Sequence, residues 1–108
     1  MKTNDRISEG SKIIVKVDPE LAELIPAFLK NRDEDIHLLM EGLKKNNYEI
    51  IERTGHGMKG SGSGFGFEAI TEIGARIEQA AKHQDTDEVQ KGIDELSDYV
   101  RRLEVIYE

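Results

Sequence analysis

From Asp18 onward, apolar side chains return every three or four positions, a spacing that predicts helices. Leu21, Leu24, Ile25, Phe28, Leu29, Ile36, Leu39, Met40 and Leu43 keep it, with Arg32 on the same stripe. Pro26 interrupts the pattern by kinking the helix or opening a second one, so a short helix is expected near 19–25 and a longer one near 26–45. Asn46 or Asn47 can cap the next helix, which runs out among glycines. A further helix buries Phe67, Ile70, Ile73, Gly74, Ile77, Ala80 and Ala81, with Lys82 and His83 suited to the negative end of its dipole. The last helix starts at Asp85 or Thr86. Val89, Ile93, Leu96, Val100, Leu103 and Tyr107 give it a narrow seam with alternating steps of four and three.

Before Asp18 the pattern differs. Met1 to Gly10 is polar and expected to fray, whereas Ser11 to Val17 (SKIIVKV) is short and β-branched, as an extended arm would be. Short links between consecutive amphipathic helices favour an all-α fold, an up-down-up-down antiparallel four-helix bundle with the short N-terminal helix capping one end. The expected division is a flexible or extended arm at 1–17 and a helical bundle at 18–108.

Composition narrows the function. The 108 residues carry a net charge of −7, and the lysines and arginines are interspersed with acids, which argues against nucleic acid as a partner. Six aromatics and no tryptophan leave little for base stacking. Without cysteine there is neither a disulfide framework nor a thiolate metal site. No apolar run approaches a membrane span or a signal-peptide core, so a soluble, cytoplasmic protein with a protein partner is expected.

One stretch departs from scaffold, HGMKGSGSGFG from His56 to Gly66. With the preceding NYEIIERTG taken as helix, Ile51, Thr54, Met58, Ser61 and Phe65 form an inward stripe, and steps of about 100° per residue put His56 on the opposite side. The imidazole then faces solvent, with Lys59 one turn away, and Gly60 removes the side chain that would crowd it. Gly55, Gly57, Gly60, Gly62 and Gly64 would each cost about 1 kcal/mol relative to alanine in a helix interior. Close approach by another helix or another protein explains such a cost at Gly60, and an early helix end explains it at Gly64.

Several chemistries fail on context. Gly55, Gly57 and Gly60 satisfy GxGxxG, but the segment before them is helical in pattern where a dinucleotide site needs a strand. Lys59 precedes Gly60, the wrong order for a Walker loop. His37, His56 and His83 lack metal-ligand spacing, and Ser61 and Ser63 lack the strand-to-helix elbow of a serine hydrolase. His37 and His83 read as structural, Met40, Met58 and Phe65 as core or an apolar docking rim. What remains is one exposed histidine whose neutral imidazole can accept a phosphoryl group, with Lys59 to offset the added charge. The chain offers no second base or nucleotide site, so it can carry such a group but not activate one, and it is not expected to be an enzyme.

His56, Lys59, Gly60, Ser61 and Gly66 match H-x-x-K-G-[SA]-x-x-x-x-G, and in this the chain resembles histidine-containing phosphotransfer (HPt) domains from about Asp18 to the C-terminus. The resemblance implies that His56 is a phosphoacceptor exchanging phosphate with a response-regulator receiver domain or a hybrid histidine kinase. The receiver would supply Mg2+ and most catalytic groups, and this chain would hold no cofactor, metal or small-molecule substrate. Family members often place a polar residue 22 positions after the histidine to hold the other ring nitrogen, here Glu78, and some carry a basic residue four further on, here Lys82. The extra glycines depart from the family pattern and blur the end of the His56 helix. Two other readings stay open, a helical adaptor that docks without accepting phosphate and the phosphoacceptor module of a chemotaxis-type kinase.

Overall fold

The computed structural model describes residues 11–108; the fraying expected for Met1 to Gly10 lies outside them. The described residues are mostly helical, with four α-helices and a two-stranded sheet. The order is β1 (Ile13–Val17), a 3-10 turn (Pro19–Leu21), α1 (Ile25–Lys44), α2 (Tyr48–Ser61), a 3-10 turn (Ser63–Phe65), α3 (Glu68–Lys82), α4 (Thr86–Arg102) and β2 (Leu103–Tyr107).

Local chemistry sets these boundaries. Pro26 sits in the first turn of α1, where its missing N–H has no helical partner to lose. Instead of a short helix near 19–25, there is only a 3-10 turn at Pro19–Leu21 capped by Asp18, and three residues of turn separate it from α1. Asn46 takes a left-handed conformation, φ 55°, that turns the chain out of α1. Asn47 then accepts a hydrogen bond from the Ile50 N–H at 3.3 Å and caps α2, while Asp85 does the same for α4 through Glu88.

The all-α expectation needs correction at both ends of the chain. The apolar seam predicts a last helix running through Leu103 to Tyr107, but α4 ends at Arg102 and Leu103 is extended, with ψ 134°. Leu103, Val105 and Tyr107 also fit a period of two, so a helical reading of the apolar spacing alone cannot separate the alternatives. The extended arm decides the matter. Ile13 pairs with Leu103 and Val17 with Tyr107 in a parallel ribbon that uses the β-branched residues of both segments.

Each helix contributes to one core. Ile25, Phe28 and Leu39 of α1, Ile51 and Met58 of α2, Ile70, Ile73 and Ile77 of α3, and Val89, Ile93 and Leu96 of α4 are buried together, with Phe67 between them. Helix α2 packs on α3, α3 on α4, and α1 on both α2 and α4. The inner faces of Ile13, Val15, Leu103 and Val105 rest on this core, and Val17 is buried in it. Val17 lies beside Gly66, whose φ of 94° closes the 3-10 turn after α2.

Arg32 is a buried cation on the α1 stripe. Its Nε donates to Asp35 at 2.8 Å, its Nη1 donates to the Ser61 hydroxyl at 3.4 Å, and its guanidinium lies 4.5 Å over the Phe28 ring. Phe28 stacks in turn on Phe65 and Phe67. The start of α1 is thereby tied to the end of α2.

Candidate functional site

Two glycines permit the site. A Cβ at Gly55 would lie 2.8 Å from both the Glu78 N and the Gly74 O, and one at Gly74 would lie 2.7 Å from the Gly55 O and the Lys59 N. Helices α2 and α3 therefore approach backbone to backbone, with Gly55 beside Glu78 and Lys59 beside Gly74, so the two run in opposite directions. At the far end Gly62 meets Phe67 and Thr71, and the Thr71 hydroxyl donates to the Lys59 O and accepts from the Ser63 N–H. The helix end is stitched down there.

The side chains that flank Gly55 and Gly74 converge. His56 leaves α2 toward solvent, its side chain 68% exposed, as the helical geometry predicts. Glu78, on α3, keeps only 7% of its side-chain surface. His56 Nδ1 lies 2.9 Å from Glu78 Oε2, Lys59 Nζ 3.2 Å from Oε1, and Lys82 Nζ 3.9 Å from Oε2. Lys59 meets Oε1 as a charge, without hydrogen-bond alignment, so that oxygen has no directed donor among the described residues. Burial pushes the Glu78 carboxyl up, but the charges and contacts of Lys59 and His56 outweigh it and hold the group below its ordinary range.

A buried carboxylate acts here as an acceptor with two edges. An ionised Glu78 can only accept, so Nδ1 is the ring nitrogen that donates to it, and in the neutral ring Nε2 carries the lone pair. That second nitrogen belongs to an exposed ring. Lys59 and Lys82, each 45% exposed, flank the same carboxylate and bring two ammonium groups to this face of the bundle.

The structure thus gathers His56, Lys59, Glu78 and Lys82 in one cluster. Gly60 is open, with nothing within 4 Å of the place a Cβ would take, so it leaves room for an incoming surface; the close helix approach in this run falls instead on Gly55 and Gly62. Ser61 and Gly66 stand apart from the ring. Ser61 donates to the Gly57 O and accepts from Arg32, and Gly66 turns the chain beneath Val17. The expected early helix end comes at Ser61, before Gly64. His37, exposed on α1, contacts the Asp33 O, and His83 ends α3. Met58 is core, Phe65 is half-buried on Phe28, and Met40 is exposed.

Sequence reasoning passed over two carboxylates of the surroundings, Glu49 and Glu52. Glu49, Glu52 and Arg53 line a shallow groove with His56 and Glu78. Glu52 and Arg53 are four and three positions before His56, and Glu49 is seven before it, so helical spacing held the signal. Among the described residues no cluster of three or more His, Asp or Glu side chains could hold a metal ion, and no helix is long and apolar enough to cross a membrane.

Comparison with curated proteins returns no match, and comparison with solved structures returns none either. A family model does match. It covers residues 23–105, from just before α1 into β2, and takes in every residue of the site. The chain belongs to the Hpt domain family.

Proposed function

We propose that the chain is a phosphocarrier that shuttles a phosphoryl group between receiver-domain aspartates through His56. Hpt domains serve phosphotransfer in two-component phosphorelays, where they interact with receiver domains and kinases. The observation that carries the residue-level reading is the 2.9 Å contact between His56 Nδ1 and buried Glu78 on an otherwise exposed ring.

In this reading Nε2 attacks the phosphorus of an aspartyl phosphate. An N–P bond forms, the P–O bond to the carboxyl breaks, and its electron pair leaves on the aspartate carboxylate. No proton needs to move, because Nδ1 keeps its hydrogen. The ring becomes a phosphoimidazolium whose positive charge faces Glu78, while Lys59 and Lys82 flank the added phosphoryl charge. Transfer onward reverses these steps. Mg2+ and the remaining catalytic groups belong to the receiver, which docks over the open face at Gly57 and Gly60. The unit that performs the transfer is the 18–108 bundle, in up-down-up-down antiparallel order, and the cytoplasm is its compartment.

The test is phosphate transfer from a panel of aspartyl-phosphorylated receivers to the wild type and to His56→Gln, read as acid-labile phosphate by intact mass. Transfer to the wild type alone is expected. Binding without transfer to either would replace the carrier with a docking adaptor.

A further inference from the structure

We infer that Arg53 is a phosphoryl-binding residue: it gives up its ion pair with Glu49 to hold the phosphoryl group carried on Nε2 of His56. This rests on the phosphocarrier reading and adds to it a cation on the side of the ring away from Glu78.

Steps of about 100° per residue around α2 put Lys59, three positions after His56, about 60° to one side of it and Arg53, three positions before, about 60° to the other. Helix α3 lies on the Lys59 side, where Gly55 and Gly62 touch it. Glu78 therefore reaches Nδ1 from that side, with Lys59 and Lys82 drawn to its carboxylate. Nε2 stands across the ring from Nδ1, so it faces away from Glu78 and toward the flank that holds Arg53. Gly57 and Gly60 leave open space on that flank. Glu49, Glu52, Arg53, His56 and Glu78 line one groove of about 450 Å3. Among the described residues lining it, Arg53 is the one basic side chain besides His56.

The present partner of Arg53 holds it loosely. Its Nη2 lies 3.8 Å from Glu49 Oε2, beyond hydrogen-bond distance, and the two side chains are 73% and 85% exposed. A phosphoryl group offers more negative charge and three acceptor oxygens, which a planar guanidinium meets with two parallel N–H donors. Glu49 lies four positions before Arg53 and His56 three after it, so one long side chain reaches either anion by turning along the helix. No covalent bond changes in the exchange, and Glu49 is left to water. Because Arg53 then holds the phosphorylated chain more tightly than the free one, it draws the phosphate equilibrium toward His56 and away from the receiver aspartate. A charge-assisted bond at the low end of its ordinary strength shifts that equilibrium about tenfold.

The test equilibrates phosphate between the full chain and a receiver that phosphorylates it, with the share on each read by intact mass. Arg53→Gln is expected to lower the equilibrium constant for phospho-His56 about tenfold. Arg53→Lys, which keeps the charge without the fork, should recover only part of that loss. Glu49→Gln frees the guanidinium, so it should raise the constant about twofold more in the wild-type background than beside Arg53→Gln. An Arg53→Gln constant within about twofold of the wild type, or equal effects of Glu49→Gln in both backgrounds, overturns the assignment and leaves the carrier reading in place. A wild-type chain that takes no phosphate from any receiver overturns both.

Discussion

Replacing single glycines by alanine along α2 should change stability in opposite directions at positions only two residues apart. At Gly57 and Gly60 a Cβ meets nothing within 4 Å, so alanine gains only its helix propensity, about 1 kcal/mol. For a domain of this size that raises the unfolding midpoint by about 4 to 8 °C. At Gly55 the same gain is offset by contacts at 2.8 Å to the Glu78 N and the Gly74 O. Both are backbone atoms, and no side chain can rotate away. Overpacking of this kind costs about 3 kcal/mol, leaving a net loss of about 2 kcal/mol and a midpoint lower by about 10 °C. Thermal and urea unfolding followed by dichroism at 222 nm would measure all three variants. Phosphate transfer adds a second axis: Gly60→Ala should be more stable yet slower with a receiver, whereas Gly55→Ala should lose both. A Gly55→Ala protein as stable as Gly57→Ala would refute the close helix contact.

Two further changes test the charged groups. Because Glu78 is held below its ordinary range, its contribution to stability is complete above about pH 4.3 and is lost as pH falls through the lower folded value. Glu78→Gln should flatten stability against pH between about pH 6 and about pH 3 in urea titrations, and an unchanged slope would count against the ionised carboxylate. Arg32→Met should cost about 2 kcal/mol in urea unfolding, since it leaves half-buried Asp35 unpaired and removes the link to Ser61, and a loss under about 0.5 kcal/mol would show the cluster to be dispensable.

Much of this was legible in the sequence because helices announce themselves by a period that survives in a single chain. The stripe of α3 and the cores of the α1 and α4 stripes are buried in the structure, with Leu24 and Met40 of the α1 stripe exposed, and the exposure of His56 followed from angular position alone. Two things were not legible. Leu103 to Tyr107 satisfies helical and strand spacing together, and only the contact with β1, some ninety residues earlier, resolves it. The glycines likewise look alike in sequence, yet Gly55 and Gly62 are filled by a neighbouring helix whereas Gly57, Gly60 and Gly64 face open space. Which is which depends on where α3 lies, a fact of tertiary structure.

The glycine contact and the site chemistry are one feature seen at two scales. A glutamate side chain is short, and to touch His56 at 2.9 Å and Lys59 at 3.2 Å from another helix it needs the two backbones drawn together. Gly55, adjacent to His56, and Gly74, one turn before Glu78, allow that approach where the two side chains must meet. The same closeness seals the carboxylate from water, which strengthens its hold on the ring and on the lysine. With ordinary side chains at both positions the helices would separate, Glu78 would hydrate, and His56 would become a surface histidine free to choose either tautomer. The propensity lost at the buried glycines is thus exchanged for an oriented imidazole, while the open glycines on the outer side leave its second nitrogen accessible.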